Sequence, residues 1–135
     1  MKRRCLTMLL CCPLLASAQT IAVKTGAWEM TYKGAAFPQP VVEKDCVTKA
    51  DLEQLARAPD DEDGDCKFVR PPTITANKWS GEKRCPDGRT VRAEFVAESP
   101  ERIAGTVTSP APKGGQVERM EISGRWLGAS CAGID

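Results

Sequence analysis

The sequence predicts a mainly β protein: an antiparallel meander of about seven strands curled into a small barrel or sandwich, with one short helix and two disulfides. Two observations lead to this fold. Apolar and polar residues alternate over short stretches, and turn-forming Pro, Gly and Asp residues separate these stretches. The connections are mostly only a few residues long, which permits antiparallel neighbours but not parallel ones.

The N-terminal residues 1–18 have the features of a secretory signal peptide. Three basic residues precede an apolar run from Leu6 to Leu15, and Ala16-Ser17-Ala18 forms a small-x-small cleavage site. The run is shorter than the roughly 20 apolar residues that span a bilayer, so we expect residues 19–135 to form a single soluble β-rich domain without stable membrane insertion. The cysteines of the run lack the preceding small residues of a lipoprotein signal, so lipid anchoring is the less favoured alternative.

The charge balance argues against nucleic acid as a partner. Without the three basic residues of the signal, 16 basic residues face 18 acidic ones, a net charge of −2. Binding to a row of phosphates needs a basic face. Lys83, Arg84, Arg89 and Arg92 do cluster in sequence, but we interpret this local cluster as solvated surface beside a turn.

Cysteine usage predicts two disulfides. Three of the seven cysteines lie in the signal, which leaves four. Since the chain has no C-x-x-C spacing and no histidine, bridges are favoured over metal ligation, and we expect no metal or cofactor.

The first elements follow from alternation and proline. Trp28, Met30 and Tyr32 share one face of a first strand over residues 27–33. The segment Gly34 to Pro40 is a loop because its prolines lack backbone donors, and Val41 to Cys46 forms a second strand.

A short helix follows the second strand. Thr48 and Asp51 resemble a capping box, and Leu52 and Leu55 then lie on one helical face up to about Arg57. This helix is expected to lie over the sheet or to plug one end of it. Residues 60–65 are an acidic surface loop.

The hairpin after the acidic loop decides the disulfide pairing. A third strand begins at Cys66 and is interrupted by Pro71-Pro72, and a fourth strand ends near Cys85. If the chain bends near Thr73 to Ala76, the two cysteines face each other at the open end, where opposed Cβ atoms are close enough to bond. Of the three connectivities that four cysteines allow, the favoured one is therefore Cys66–Cys85 and, by elimination, Cys46–Cys131.

The rest of the chain completes the meander. Pro86-Asp87-Gly88 is a hairpin turn. Further strands are expected around Val91 to Val96 and Ile103 to Val107, and a loop from Ser109 to Gly115. In the closing strand Met120, Ile122 and Trp126 alternate with polar residues, so Trp126 is expected to anchor this strand in the core.

Catalytic signatures are missing from the sequence. There is no histidine, no G-x-S-x-G, no P-loop and no G-x-G-x-x-G, and every cysteine outside the signal is expected to be bridged. We therefore expect a protein that is not an enzyme.

The acidic loop resembles a calcium-binding loop only in part. Asp61-x-Asp63-Gly64 matches three EF-hand positions, but Pro59 and Arg70 occupy the first and twelfth ligand positions. A solvated loop is the favoured interpretation.

Two functions from different classes compete at this point. A binding module would hold an apolar small molecule in a pocket lined by Trp28, Phe68, Trp79 and Phe95, since ligand sites are concave and mostly apolar. An interaction protein would instead have a filled core and present a loop to a periplasmic protein partner.

Several short segments together resemble one family. They are the signal peptide, Gly26-Ala27-Trp28-Glu29, Cys46-Val47-Thr48, Cys66, Cys85 before a Gly turn, and the closing Ser123-Gly124-Arg125-Trp126-Leu127-Gly128 ahead of Cys131. In this order they look like the exported bacterial family of domain of unknown function 3617. The resemblance implies a periplasmic or secreted location in a Gram-negative bacterium, and it implies no activity, substrate or site residue.

A second, local likeness gives an alternative function. The segment Arg84 to Arg92 is similar to the Cys-x-x-Gly hairpin of periplasmic C-type lysozyme inhibitors, which are small disulfide-bonded β-barrels. The Ser-Gly-x-x-Tyr element that those inhibitors insert into their target is not found here: Ser80-Gly81 and Ser123-Gly124 are followed by other residues.

Overall fold

The structure is a computed structural model that describes residues 20–57, 65–110 and 116–134. The predicted signal peptide and most of the acidic loop of residues 60–65 lie outside the described residues. The described part contains eight strands and one helix, in the order β1 (Gly26–Gly34), β2 (Val41–Val47), α1 (Lys49–Arg57), β3 (Lys67–Phe68), β4 (Thr73–Ile74), β5 (Lys78–Arg84), β6 (Thr90–Ser99), β7 (Arg102–Pro110) and β8 (Val117–Gly128).

All strands belong to one antiparallel sheet with the order β2-β1-β8-β7-β6-β5-β3, and β4 also pairs with β5. The predicted meander is confirmed for β5 to β8. The strand number is eight because Pro71-Pro72 divides the predicted third strand into β3 and β4, both of which pair with β5. In the described residues β2 and β3 remain at opposite ends of the strand order, so the sheet is not closed.

The sheet has one apolar and one polar face because side chains alternate along each strand. The register aligns Trp79 with Phe95, Phe95 with Gly105, and Gly105 with Ile122, which continues the apolar face across four strands. The residues between them, among them Glu94 and Glu121, form the polar face. The expected alternation in the closing strand is confirmed.

Both predicted disulfides are present. Cys66 and Cys85 extend the β3–β5 register, and their Cα atoms lie 4.0 Å apart. Cys46 on β2 bonds Cys131 beyond β8, with a Cα separation of 5.5 Å across 85 positions of sequence. The second bridge therefore ties the end of the chain to the first hairpin.

The hairpin turn after Cys85 has the predicted form. Gly88 adopts a positive φ of 84°, which glycine tolerates without steric cost. The amide of Cys85 donates to the carbonyl of Arg89 at 2.9 Å and closes the turn.

Strands β1 and β2 lie beside the last strand, β8, and we call this region the seam. It contains Trp28, Trp126 and the Cys46–Cys131 bridge. Trp28 is 1% exposed and lies opposite Trp126 in the β1–β8 register. Its indole N–H donates to the carbonyl of Lys24 at 2.9 Å, and that of Trp126 donates to Thr25 at 3.0 Å. Trp126 is half-buried, with the ammonium of Lys24 4.3 Å from its ring centroid, so the anchor that sequence reasoning placed at Trp126 is shared with Trp28.

Candidate functional site

Helix α1 lies over the apolar face at the β5–β6 side of the sheet. The capping box is confirmed: the Thr48 amide donates to the Asp51 carboxylate at 2.7 Å, and the Asp51 amide donates to the Thr48 hydroxyl at 3.2 Å. The Thr48 hydroxyl also donates to the Asp51 carboxylate at 2.6 Å, and this bond first, then the one from the Thr48 amide, holds the pKa of Asp51 below its ordinary range. Leu52 and Leu55 then face the sheet and contact the buried core around Trp79.

One hydrogen bond fixes the end of the helix on the sheet. The indole N–H of Trp79 donates to the carbonyl of Leu55 at 3.1 Å. Leu55 lies in the last turn of α1, where carbonyl groups lack partners within the helix. Trp79 therefore both fills the core and satisfies a helix terminus.

Between α1 and the strands β3, β5 and β6 lies an open groove of about 510 Å³. This volume falls in the range of small-molecule sites. We call it the groove; its lining residues are Asp51, Gln54, Leu55, Cys66, Phe68, Trp79, Lys83, Val91 and Ala93.

An aromatic cluster forms the wall of the groove. Phe68 meets Trp79 edge to face with ring centroids 6.4 Å apart, and Phe95 lies against Trp79 at 5.8 Å. Gly81 makes this arrangement feasible, because a Cβ at that position would come within 2.6 Å of the Trp79 ring and 3.0 Å of the Phe68 ring. The rings of Phe68 and Trp79 therefore pack against the backbone at Gly81, and both rings line the groove.

The rim of the groove is polar. Asp51 and Gln54 extend from α1, and Lys83 extends from β5 with its ammonium 4.6 Å from the centroid of Phe68. An apolar wall with a polar rim suits a molecule that has an apolar body and a polar end. The lining contains no free thiol, since Cys66 is bridged to Cys85.

The structure separates the four residues of the predicted pocket. Phe68 and Trp79 line the groove, and Phe95 packs against Trp79. Trp28 is fully buried in the seam, on β1, and is not one of the groove's lining residues. Sequence reasoning missed Leu55, Val91 and Ala93, although Val91 and Ala93 share strand parity with Phe95 and could have been found from it.

The four basic residues that lie close together in the sequence, Lys83, Arg84, Arg89 and Arg92, are also divided. Lys83 lies on the apolar face, Arg84 and Arg92 on the polar face, and Arg89 pairs with Asp87 in the turn. Within the described residues no three Cys, Asp or Glu side chains are placed to hold a metal ion. The partial EF-hand match at Asp61, Asp63 and Gly64 lies outside them.

The fold and the groove define a class: small disulfide-bonded antiparallel β proteins with one helix packed across an open apolar face. The chain belongs to the family described as protein of unknown function (DUF3617), whose model matches residues 23–131. No curated protein and no solved structure matches it. Among the described residues no helix is both long enough and apolar enough to cross a membrane.

Proposed function

We propose that this protein is an exported, non-catalytic binding module that holds the apolar part of a small molecule in the groove. The observation that carries the proposal is the open wall of Phe68 and Trp79 beneath α1, with about 510 Å³ of space beside it. A core that serves only stability is expected to fill such a space, because side-chain atoms placed there would gain van der Waals contacts and burial. An apolar wall that packs against Gly81 and stays open on its other side instead favours a ligand.

Export is supported by the N-terminal sequence and by the bridges. Disulfides persist in oxidising compartments such as the periplasm, and four cysteines of this chain form two of them. The absence of catalytic function is proposed because the chain has no histidine and the groove's lining contains no hydroxyl side chain and no free thiol.

A fluorescence titration with N-phenyl-1-naphthylamine tests the groove. The oxidised protein is expected to bind this apolar probe saturably, with an increase in probe emission. Val91→Phe fills the groove and should weaken binding at least about tenfold, which corresponds to about 1.4 kcal/mol.

The same strand offers a matched control. Val96 is also half-buried on β6 but belongs to the polar face. Val96→Phe introduces the same ring with the same change in volume and should leave the affinity unchanged. Equal binding by both variants, or no saturable binding by the wild type, would refute the proposal.

A second candidate is an inhibitor of a lysozyme, acting through the exposed turn of residues 86–88. The observation in its favour is that this turn is exposed and supported by the Cys66–Cys85 bridge. Lysozyme activity measured with excess wild-type protein distinguishes the two candidates. Inhibition that is lost on replacing Asp87 and kept in Val91→Phe would favour the inhibitor.

A further inference from the structure

The polar face contains a concentration of positive charge on the side of the sheet opposite the groove. We define the basic cluster as Lys67, Arg70, Arg84 and Arg92, all of which are exposed. Glu82 lies among them: it lies opposite Arg92 in the β5–β6 register and accepts a hydrogen bond from it at 2.7 Å. The four positive side chains and this one carboxylate together carry a net charge of +3.

The pKa of Glu82 shows which cations of the basic cluster lie close to its carboxylate. The hydrogen bond from Arg92 is the main cause of a lowered pKa of Glu82, and the charges of Arg92, Arg70 and Arg84 lower it further. Three guanidinium groups therefore act on the same carboxylate.

One pair in the cluster works against the stability of the sheet. Lys67 on β3 lies directly opposite Arg84 on β5. Like charges in directly opposed positions destabilise a sheet. A lysine on an edge strand such as β3 can be explained as protection against aggregation, but that explanation does not cover Arg84, which lies on an inner strand.

A second pair of opposed cations shows what a balanced arrangement looks like. Arg102 lies opposite Arg125, but there the Glu29 carboxylate accepts a hydrogen bond from Arg125 at 2.8 Å, and Glu98 lines the same depression. Two carboxylates thus balance two cations. In the basic cluster only Arg92 forms a direct ion pair with a carboxylate of the described residues, that of Glu82, while Lys67, Arg70 and Arg84 form none.

The cluster borders a concavity of about 360 Å³ between the β3–β4 connection and strands β5, β6 and β7. Arg70 and Arg92 lie in its wall together with Glu82, whereas Lys67 and Arg84 are not among its lining residues. The hydroxyl groups of Thr73, Ser80 and Thr108 also line it and form no hydrogen bond with another described residue. Glu94 contributes a carboxylate there, but Lys78 pairs with it at 2.8 Å.

We infer that the basic cluster, together with the hydroxyl groups of the concavity beside it, is a binding site for a small molecule that carries at least two phosphate groups. Guanidinium groups bind phosphate oxygens through paired hydrogen bonds, and hydroxyl groups add further donors. A single phosphate monoester carries a charge of about −1.5 to −2, so two phosphate groups match the local charge of +3 more closely than one.

Thermal unfolding of the oxidised protein with inorganic pyrophosphate tests this site, with sodium chloride adjusted to constant ionic strength. At a pyrophosphate concentration about tenfold above the dissociation constant, the Tm should rise by about 5 °C. Inorganic phosphate should give a smaller rise. Arg84→Thr should abolish the rise and, because it removes the like-charge pair with Lys67, should melt without ligand at or above the wild-type Tm.

Arg102→Thr is the matched control, since it removes an exposed arginine from the same face and should keep the full response. The inference is overturned if pyrophosphate raises the Tm of neither the wild type nor Arg102→Thr, or if Arg84→Thr and Arg102→Thr respond alike. It is also overturned if Arg84→Thr melts below the wild type and pyrophosphate has no effect, because the chain itself then neutralises the cluster. Binding only to phosphatidylglycerol vesicles in a sedimentation assay would replace the small molecule by a membrane surface.

Discussion

The seam and the groove are each built around a buried tryptophan whose indole N–H donates to a backbone carbonyl, yet only one of them is filled. Trp28 in the seam is 1% exposed, donates to Lys24, and lies opposite Trp126 in the β1–β8 register. Trp79 is 5% exposed and donates to Leu55, but its ring still forms part of an open wall. The same hydrogen-bonding arrangement therefore accompanies a filled core in one region and an open apolar wall in the other.

The difference predicts how variants should behave. Changes in the seam should lower stability and leave the affinity for an apolar probe intact in the molecules that remain folded. Changes in the groove should alter affinity at a smaller cost in stability.

The largest expected effect comes from the disulfide of the seam. Replacing Cys46 and Cys131 together by Ser removes a bridge across 85 positions and should lower the free energy of unfolding by about 4.5 kcal/mol. Replacing Cys66 and Cys85 removes a bridge across 19 positions and should cost about 3 kcal/mol. Urea unfolding of both double variants measures the two losses, and a larger loss for the second would contradict this ranking.

The two tryptophans of the seam should differ in importance. Trp28→Ala should cost about 4 kcal/mol because the side chain is fully buried, whereas Trp126→Ala should cost about 2 kcal/mol because the ring is half-buried. Urea unfolding again measures both. Equal costs would mean that the two rings act as one packing unit.

The sequence predicted the local features of both regions. The Cys66–Cys85 bridge follows from a hairpin that joins strands adjacent in sequence, and the cap at Thr48 and Asp51 is visible in four residues. In contrast, the pairing of Trp28 with Trp126 joins positions at opposite ends of the chain. Strand alternation assigns a residue to the apolar face but not to a place on it, which is why Trp28 was grouped with the groove residues.

One pair of the basic cluster, Lys67 and Arg84, could have been found from the sequence. If Cys66 faces Cys85 in an antiparallel hairpin, the register also places Lys67 opposite Arg84. The groove could not have been found from the sequence, because its depth depends on the position of α1 on the sheet. That position involves a hydrogen bond between Trp79 and Leu55, which lie 24 positions apart.

The helix cap should have a smaller effect that belongs to the groove. Thr48→Ala removes the hydroxyl that accepts from the Asp51 amide and should lower stability by about 1 kcal/mol. Since α1 forms one wall of the groove, the affinity for N-phenyl-1-naphthylamine should fall as well. An unchanged affinity despite the lost stability would show that the probe does not contact the helix side.

The smallest effect is expected from the ion pair of the seam. Arg125 hydrogen-bonds the Glu29 carboxylate and holds its pKa below the ordinary value of 4.5. The stabilisation from a lowered pKa is present above pH 4.5 and is lost as the pH falls through the folded-state pKa. Glu29→Gln should therefore melt slightly below the wild type at pH 7, and the two Tm values should converge as the pH falls below 4.5 through the folded-state pKa; a gap that widens toward low pH would contradict this sign.

The proposal that the groove holds a ligand is tested most directly by native mass spectrometry of protein purified from the periplasm. The wild type and Val96→Phe should carry the same additional mass, released on denaturation, and Val91→Phe should lack it. A wild-type protein without any bound mass, or the same mass retained on Val91→Phe, would show that the groove is not a ligand site.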